Sequence, residues 1–239
     1  MIAAGARPIP LRVGGFVPFS STDYPGALAA VVFCQGCPWR CGYCHNPHLM
    51  AAHGDDKWNF GRLVEWLALR RGLLDAVVFS GGEPTAQGVL ADAVAAVRAR
   101  GFAIGLHTGG AYPRRLAAVL RDVDWVGIDI KAPFAEYAGV TGVAGSGRAA
   151  LSSLDLVLAA GVAHEVRTTV HPALTPPATM ENLARELAAR GIERWVLQPF
   201  RAAGCANEDL VATAAPAAKL DHGLLTRLAR HVPGIEVRG

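Results

Sequence analysis

The 239-residue chain contains no charge-free apolar run of about 18 residues, the length that a membrane-spanning helix needs. Its opening, MIAAGARPIPLRVGGFVPFS, has no basic stretch followed by an apolar block and a small-residue cleavage site, so no secretory leader is expected. Charge is scarce as well: 18% of residues are charged and the formal net charge is +3, with Lys and Arg scattered along the chain. So weak an excess gives no footing to nucleic acid or to an anionic membrane surface. Familiar catalytic signatures are missing. No glycine-rich loop carries the lysine and Ser/Thr of a phosphate cradle, no GxGxxG follows the first strand, and neither HExxH nor GxSxG occurs. The five cysteines, four of them crowded between 34 and 44, make a poor disulfide framework and fit a reducing, cytoplasmic setting.

Hydrophobic residues make up 51% of the chain, ample material for one large core. Short β-branched runs predict strands at 27–34, 76–80, 102–110, 124–134, 163–172 and 193–200. Between them, amphipathic stretches predict helices at 58–72, 88–101, 111–123, 145–161 and 177–191, the last capped by Thr179. Residues 1–28, rich in Gly and Pro, read as a leader that covers one end of a barrel or forms a short hairpin. Residues 201–221 read as loop with a short helix, and 222–239 as a final helix with room for a last short strand. Strand–helix alternation implies parallel strands with right-handed crossovers. The expected fold is α/β: a partial TIM-like (β/α)6 barrel over 29–200, in a single domain 1–239 with a short N-terminal extension 1–28 and a C-terminal extension 201–239. A doubly wound sheet is the competing arrangement.

The densest chemical signal is FCQGCPWRCGYCHNP at 33–47. Thiolates crowded this closely repel one another and oxidise unless a metal holds them. Cys37, Cys41 and Cys44 are separated by three and then two residues, which lets one loop hold three irons of a [4Fe–4S] cluster and leaves the fourth open to another molecule. A zinc knot drawn from Cys34, Cys37, Cys41, Cys44, His45 or His48 fits the same stretch, as do buried inert thiols.

Polar and glycine-rich residues recur at the carboxyl ends of the predicted strands, where barrel enzymes place their chemistry. Gly81, Gly82 and Glu83 form a turn whose main chain can approach a ligand, or merely a tight turn capped by Glu83. Period-two geometry puts Asp129 and Lys131 on one side of the fourth strand, to bind a charged ligand or to form a salt bridge, unless Lys131 already lies outside the strand. Arg167 is placed to clamp a carboxylate, and His171 is either a ligand contact or a surface histidine. Tyr43 is an aromatic positioned to stack on a base or to pack the loop; His107, Thr108, Gln198 and Arg201 are further candidates by position.

CPWRCGYC, with its CxxxCxxC spacing and an aromatic before the last cysteine, followed by SGGEP at 80–84, resembles the radical S-adenosylmethionine enzymes. STDYPG at 21–26, DIK at 129–131, RTTVHP at 167–172 and QPF at 198–200 narrow the resemblance to activating enzymes of glycyl-radical proteins, in the branch of anaerobic ribonucleoside-triphosphate reductase activating proteins. The resemblance implies a [4Fe–4S] cluster on Cys37, Cys41 and Cys44, and S-adenosylmethionine chelating the open iron. It implies that Gly81, Gly82 and Glu83 receive the methionine amino group, that Asp129, Lys131 and Arg167 orient its polar end, that His171 lies near it and that Tyr43 contacts the adenine. It also implies a glycyl-radical protein as substrate and a low-potential electron donor such as flavodoxin or ferredoxin. Two departures stand out: His107, Thr108, Gly109 and Gly110 replace an Asp-Thr-Asn-Gly run, so a cation site built on that Asp would be altered, and only Cys34 and Cys205 remain for any auxiliary cluster. The competing functions are a radical reaction on a small molecule, such as that of a 7-carboxy-7-deazaguanine synthase, and a non-enzymatic zinc or Fe–S interaction module.

Overall fold

A computed structural model describes residues 9–54, 58–214 and 220–238. Its sheet is built on apolar runs too short for helices: β2 (Ala29–Cys34), β4 (Ala76–Gly81), β5 (Ala103–Thr108), β6 (Trp125–Asp129), β7 (Ala163–Val170) and β8 (Arg194–Pro199). All six run parallel, each hydrogen-bonded to the one before it, and β9 (Gly234–Val237) joins β8 as a seventh parallel strand. The order never reverses, so there is no switch point and the doubly wound alternative falls. Helices α1 (Phe60–Ala68), α2 (Leu90–Arg98), α3 (Pro113–Val119), α4 (Tyr137–Thr141), α5 (Ser146–Ala160), α6 (Pro177–Ala188), α7 (Glu208–Thr213) and α8 (His222–Ala229) complete the partial (β/α)6 barrel.

Alternation along the strands separates two apolar layers. Ala30, Val32, Val77 and Phe79 join the main core with α1 and α2, while Ala29, Val31, Ala76 and Val78 turn inward and pack with Tyr24. The leader supplies that tyrosine. Within it, β1 (Arg12–Ser20) pairs antiparallel with β2, and the turn that follows lays Tyr24 against Trp125 at 5.7 Å. Both expectations for the leader are therefore met by one segment, a hairpin whose turn fills the barrel; residues 1–8 lie outside the described residues. Gly105 makes the room, since a Cβ there would lie 3.0 Å from the Tyr24 ring and 2.9 Å from Val78.

Several boundaries differ from expectation. Trp58 and Asn59 form β3, which pairs with β1, so α1 starts at Phe60 behind an Asn59 cap that accepts from Arg62 N. Thr179 is not a cap: Pro177 opens α6 with its fixed φ, and Thr179 sits inside the helix. The fourth strand ends at Asp129, which leaves Lys131 beyond it. The expected loop at 201–221 does contain a short helix, α7, although residues 215–219 lie outside the described ones. No described helix is long and apolar enough to cross a membrane.

Phe79 is fully buried between β4 and α1, with its ring 6.4 Å from that of Phe60. Phe79→Ala is expected to cost about 3–5 kcal/mol, read as a lowered urea midpoint at unchanged slope.

Candidate active site

The cysteine loop leaves the carboxyl end of β2 and is stitched to the turn after β4. Gly82 N donates to Cys34 O at 2.9 Å and Glu83 N to Gly36 O at 2.9 Å, while Gly36 N and Cys37 N reach Leu49 O at 2.8 Å and Met50 O at 3.1 Å. A Cβ on Gly81, whose φ is +115°, would collide with the Cys34 main chain, and one on Gly82 would lie 2.6 Å from Gly36 O. The paired glycines therefore seat the cysteine loop; both also face the cavity described below. Glu83 is buried, and its carboxylate accepts from Thr85 N (3.1 Å), Thr85 Oγ1 (2.5 Å), Thr108 Oγ1 (2.7 Å) and Gly109 N (2.9 Å). Those four donors tie β4 to β5 and include the turn cap that the sequence offered for Glu83, and the residue also lines the cavity described below.

Asp129 and Lys131 do share a side, and Arg167 joins them. Arg167 Nε donates to Asp129 Oδ1 at 2.9 Å, and Lys131 Nζ lies 3.7 Å from Asp129 Oδ2. Arg167 thus clamps a carboxylate of the protein itself. Burial alone would raise the Asp129 carboxyl, but the two cations outweigh it and hold the group below its ordinary range. Burial likewise opposes the charge on Lys131, and Tyr43 and Asp129 beside it hold the ammonium above its usual range. Lys131 Nζ sits between two rings of the cysteine loop, 5.9 Å from the Trp39 centroid and 5.6 Å from that of Tyr43.

These groups open on one cavity of about 750 Å³ that runs down the barrel lumen. Cys37, Cys41 and Cys44 line its mouth with Tyr43, Lys131 and Asp129; His107 and Arg167 lie deeper, and Gln198 and Arg201 flank it. Cys34 is fully buried in the core and takes no part. His171 is not brought to the cavity. It is sealed behind Phe200, its ring edge-on at 4.9 Å, with Nε2 at 3.0 Å from Leu210 O and Nδ1 accepting from Ala173 N, so it braces the C-terminal extension and is neither a cavity residue nor a surface histidine. Composition and spacing gave no sign of Trp39 as a site residue, although its place between two of the cysteines was a usable signal. The closure of the lumen floor by Arg238, paired with Glu165 through two bonds of 2.9 Å, comes from residues 73 apart and had none.

The model of the Radical SAM superfamily matches residues 31–191. The chain belongs to that superfamily. It is 30% identical over 209 residues to a Methanocaldococcus jannaschii protein carrying the provisional name glycyl-radical enzyme activating enzyme, covering 82% of this chain and 83% of that one. It is 29% identical over 204 residues to the pyruvate formate-lyase-activating enzyme of Clostridium pasteurianum, covering 81% and 83%. Among solved structures, Streptococcus suis SuiB bound to S-adenosylmethionine superposes with a TM-score of 0.62 at 13% identity; 86% of this chain is covered, but only 48% of that longer one, so the likeness is one of fold. The protein is a radical SAM oxidoreductase, akin to the activating enzymes of glycyl-radical proteins.

The residues at the mouth fit the groups this chemistry uses. The Tyr43 hydroxyl is buried with no hydrogen-bond partner, an orphan beside the cavity that the radical SAM cofactor would occupy. Burial pushes the Cys37 thiol up to about 12 and also raises Cys41, so these thiols lack a counter-charge that a metal would supply. Among the described residues no three His, Cys, Asp or Glu side chains are grouped to hold a single metal ion, and a cluster spreads its thiolates over three irons.

His107 carries a pH prediction. Burial, with Arg167 adding to it, pushes its imidazole down to about 3. The unfolded chain takes up a proton below about 6.5 that the folded protein refuses, so stability falls on acidification from there toward pH 3, by at most about 1.4 kcal/mol per pH unit. Denaturation midpoints between pH 6.5 and 4 are expected to show that loss, and His107→Gln to lessen its slope.

Proposed function

We propose that this radical SAM enzyme activates a glycyl-radical protein, with an anaerobic ribonucleotide reductase as its partner. Kinship to the activating enzymes supports the class, and STDYPG, RTTVHP and QPF support the partner. The observation that carries the reading is the convergence of Cys37, Cys41 and Cys44 on the same cavity as Tyr43, Asp129 and Lys131. A [4Fe–4S] cluster with S-adenosylmethionine would supply one-electron cleavage of the sulfonium, and with it the 5′-deoxyadenosyl radical that removes a hydrogen atom from a glycine of the partner.

The chain's own residues bind and aim. Cys37, Cys41 and Cys44 would ligate the cluster, seated by Gly81 and Gly82 against β4. Lys131, protonated and half-matched by Asp129, would meet the carboxylate of S-adenosylmethionine, and Asp129 its ammonium. Arg167 fixes Asp129 from below. Tyr43 would face the adenine with its ring. No acid–base pair is required of the chain, because the cofactor carries the difficult step. Electrons would come from a flavodoxin or ferredoxin.

Cys41→Ala is expected to abolish S-adenosylmethionine cleavage under dithionite while the far-ultraviolet dichroism stays that of wild type, because the barrel keeps its own core. Lys131→Ala should raise the dissociation constant for S-adenosylmethionine about 10-fold or more, through loss of a charge-assisted contact. The function itself is tested by anaerobic co-incubation with an anaerobic ribonucleotide reductase and by electron paramagnetic resonance. A glycyl doublet is expected; efficient turnover of a small molecule with no protein partner would overturn the reading.

A further inference from the structure

His107 faces the lumen opposite Gly127, one inward-facing step below Asp129 on the neighbouring strand. Its Nε2 lies 2.9 Å from the main-chain carbonyl of Asp23. A carbonyl only accepts, so Nε2 carries the proton, and in the neutral ring Nδ1 keeps its lone pair. Nδ1 has no protein partner among the described residues, and it is not sealed: the Tyr43 hydroxyl is the one described side-chain polar atom that is both buried and unpartnered, and His107 lines the cavity. The tautomer is held from behind. Ser20 Oγ donates to the Asp23 carboxylate at 2.5 Å, which fixes the leader turn, and the Trp125 ring stands edge-on to the imidazole at 5.5 Å. Moving the proton to Nδ1 would set two acceptors against each other at Asp23, and flipping the ring would leave a carbon facing its carbonyl.

Resting on the activating-enzyme reading, we infer that His107 Nδ1 is a fixed acceptor for a main-chain N–H of the glycine-bearing segment of the partner protein, positioning that segment below the cofactor mouth. The chemistry selects the donor. A carboxylate or phosphate would bring lone pairs against the Nδ1 lone pair, and Arg167, whose guanidinium lies beside Gly127, is already bonded to Asp129. A peptide N–H meets the acceptor directly, and a glycine, having no side chain, brings its main chain closest to the wall. His107 acts as a positioning residue, through an atom that the fold leaves open.

The test compares wild type, His107→Gln and His107→Asn in anaerobic co-incubation with an anaerobic ribonucleotide reductase labelled with α-deuterated glycine. The quantity read is deuterium in 5′-deoxyadenosine per S-adenosylmethionine cleaved. Gln keeps a donor for Asp23 but loses the acceptor; Asn places Oδ1 where Nδ1 stood. Transfer per cleavage is expected to fall about 10-fold or more in His107→Gln and to stay within about 3-fold of wild type in His107→Asn, the loss of one hydrogen bond and its rescue. Equal transfer in all three overturns the role of His107 and leaves the activating-enzyme reading standing. A fall in His107→Gln matched by an equal rise in KM for S-adenosylmethionine assigns the acceptor to the cofactor and overturns the inference. A wild type that draws no deuterium from the protein, but draws it from a deuterated small molecule, overturns the activating-enzyme reading and the peptide assignment with it.

Discussion

The site depends on how closely two stretches of main chain approach each other. Cys34 to Gly36 lie on Gly81 to Glu83 through two hydrogen bonds of 2.9 Å, at a distance that admits no Cβ on either glycine. Everything chemical follows from that contact. It fixes where the cysteine loop leaves β2, it aims Cys37, Cys41 and Cys44 over the lumen, and it places Glu83 where its carboxylate can bind β5 through Thr108 and Gly109. A side chain at either glycine would lift the loop by the width of a methyl group, enough to misplace reacting atoms that must meet within a few tenths of an ångström.

Charge is the second constraint. A barrel interior tolerates Asp129 because Lys131 and Arg167 flank it, which leaves one positive charge over, and their arrangement is uneven: Arg167 is bonded tightly at 2.9 Å, Lys131 loosely at 3.7 Å. The tight pair serves as a base for the loose one. Lys131 is thereby held protonated against the rings of Trp39 and Tyr43, with capacity for a further anion. Beneath this layer the lumen is closed by parts remote in sequence, the Tyr24 turn of the leader and the Arg238–Glu165 pair. The result is a pocket with thiols and charge at the mouth and a neutral imidazole further in.

Much of this was legible in the sequence, because it rests on local rules. Six apolar runs became six parallel strands, and the cysteine spacing, the paired glycines and the Asp129–Lys131 alternation fell where short-range geometry put them. What was hidden is non-local. β1 mixes Val and Phe with two glycines and a proline, so its own residues left hairpin and barrel cover open, and the pairing with β2 decides it. Lys131 lies past the strand end, where the hydroxyl of Tyr137, in the helix that follows, takes its main-chain N–H at 3.0 Å. His171 sits near the cysteine loop in the strand tally, yet the C-terminal extension folds over it and Leu210 takes its ring nitrogen. Glu83 is divided: the two Thr85 donors belong to the turn cap that the sequence offered, while those of Thr108 and Gly109 come from the next strand. Thr179 failed as a cap for a local reason, since Pro177 starts the helix earlier.

The central claim is that Cys37, Cys41 and Cys44 hold a cluster whose open position faces the cavity shared by Tyr43 and Lys131. The most direct measurement is electron paramagnetic resonance of the anaerobically reconstituted, reduced protein, with and without S-adenosylmethionine, alongside metal and sulfide analysis. The account predicts iron and sulfide in equal amounts and a cluster spectrum that changes when S-adenosylmethionine is added. Zinc without iron, or a cluster spectrum indifferent to S-adenosylmethionine, would contradict it.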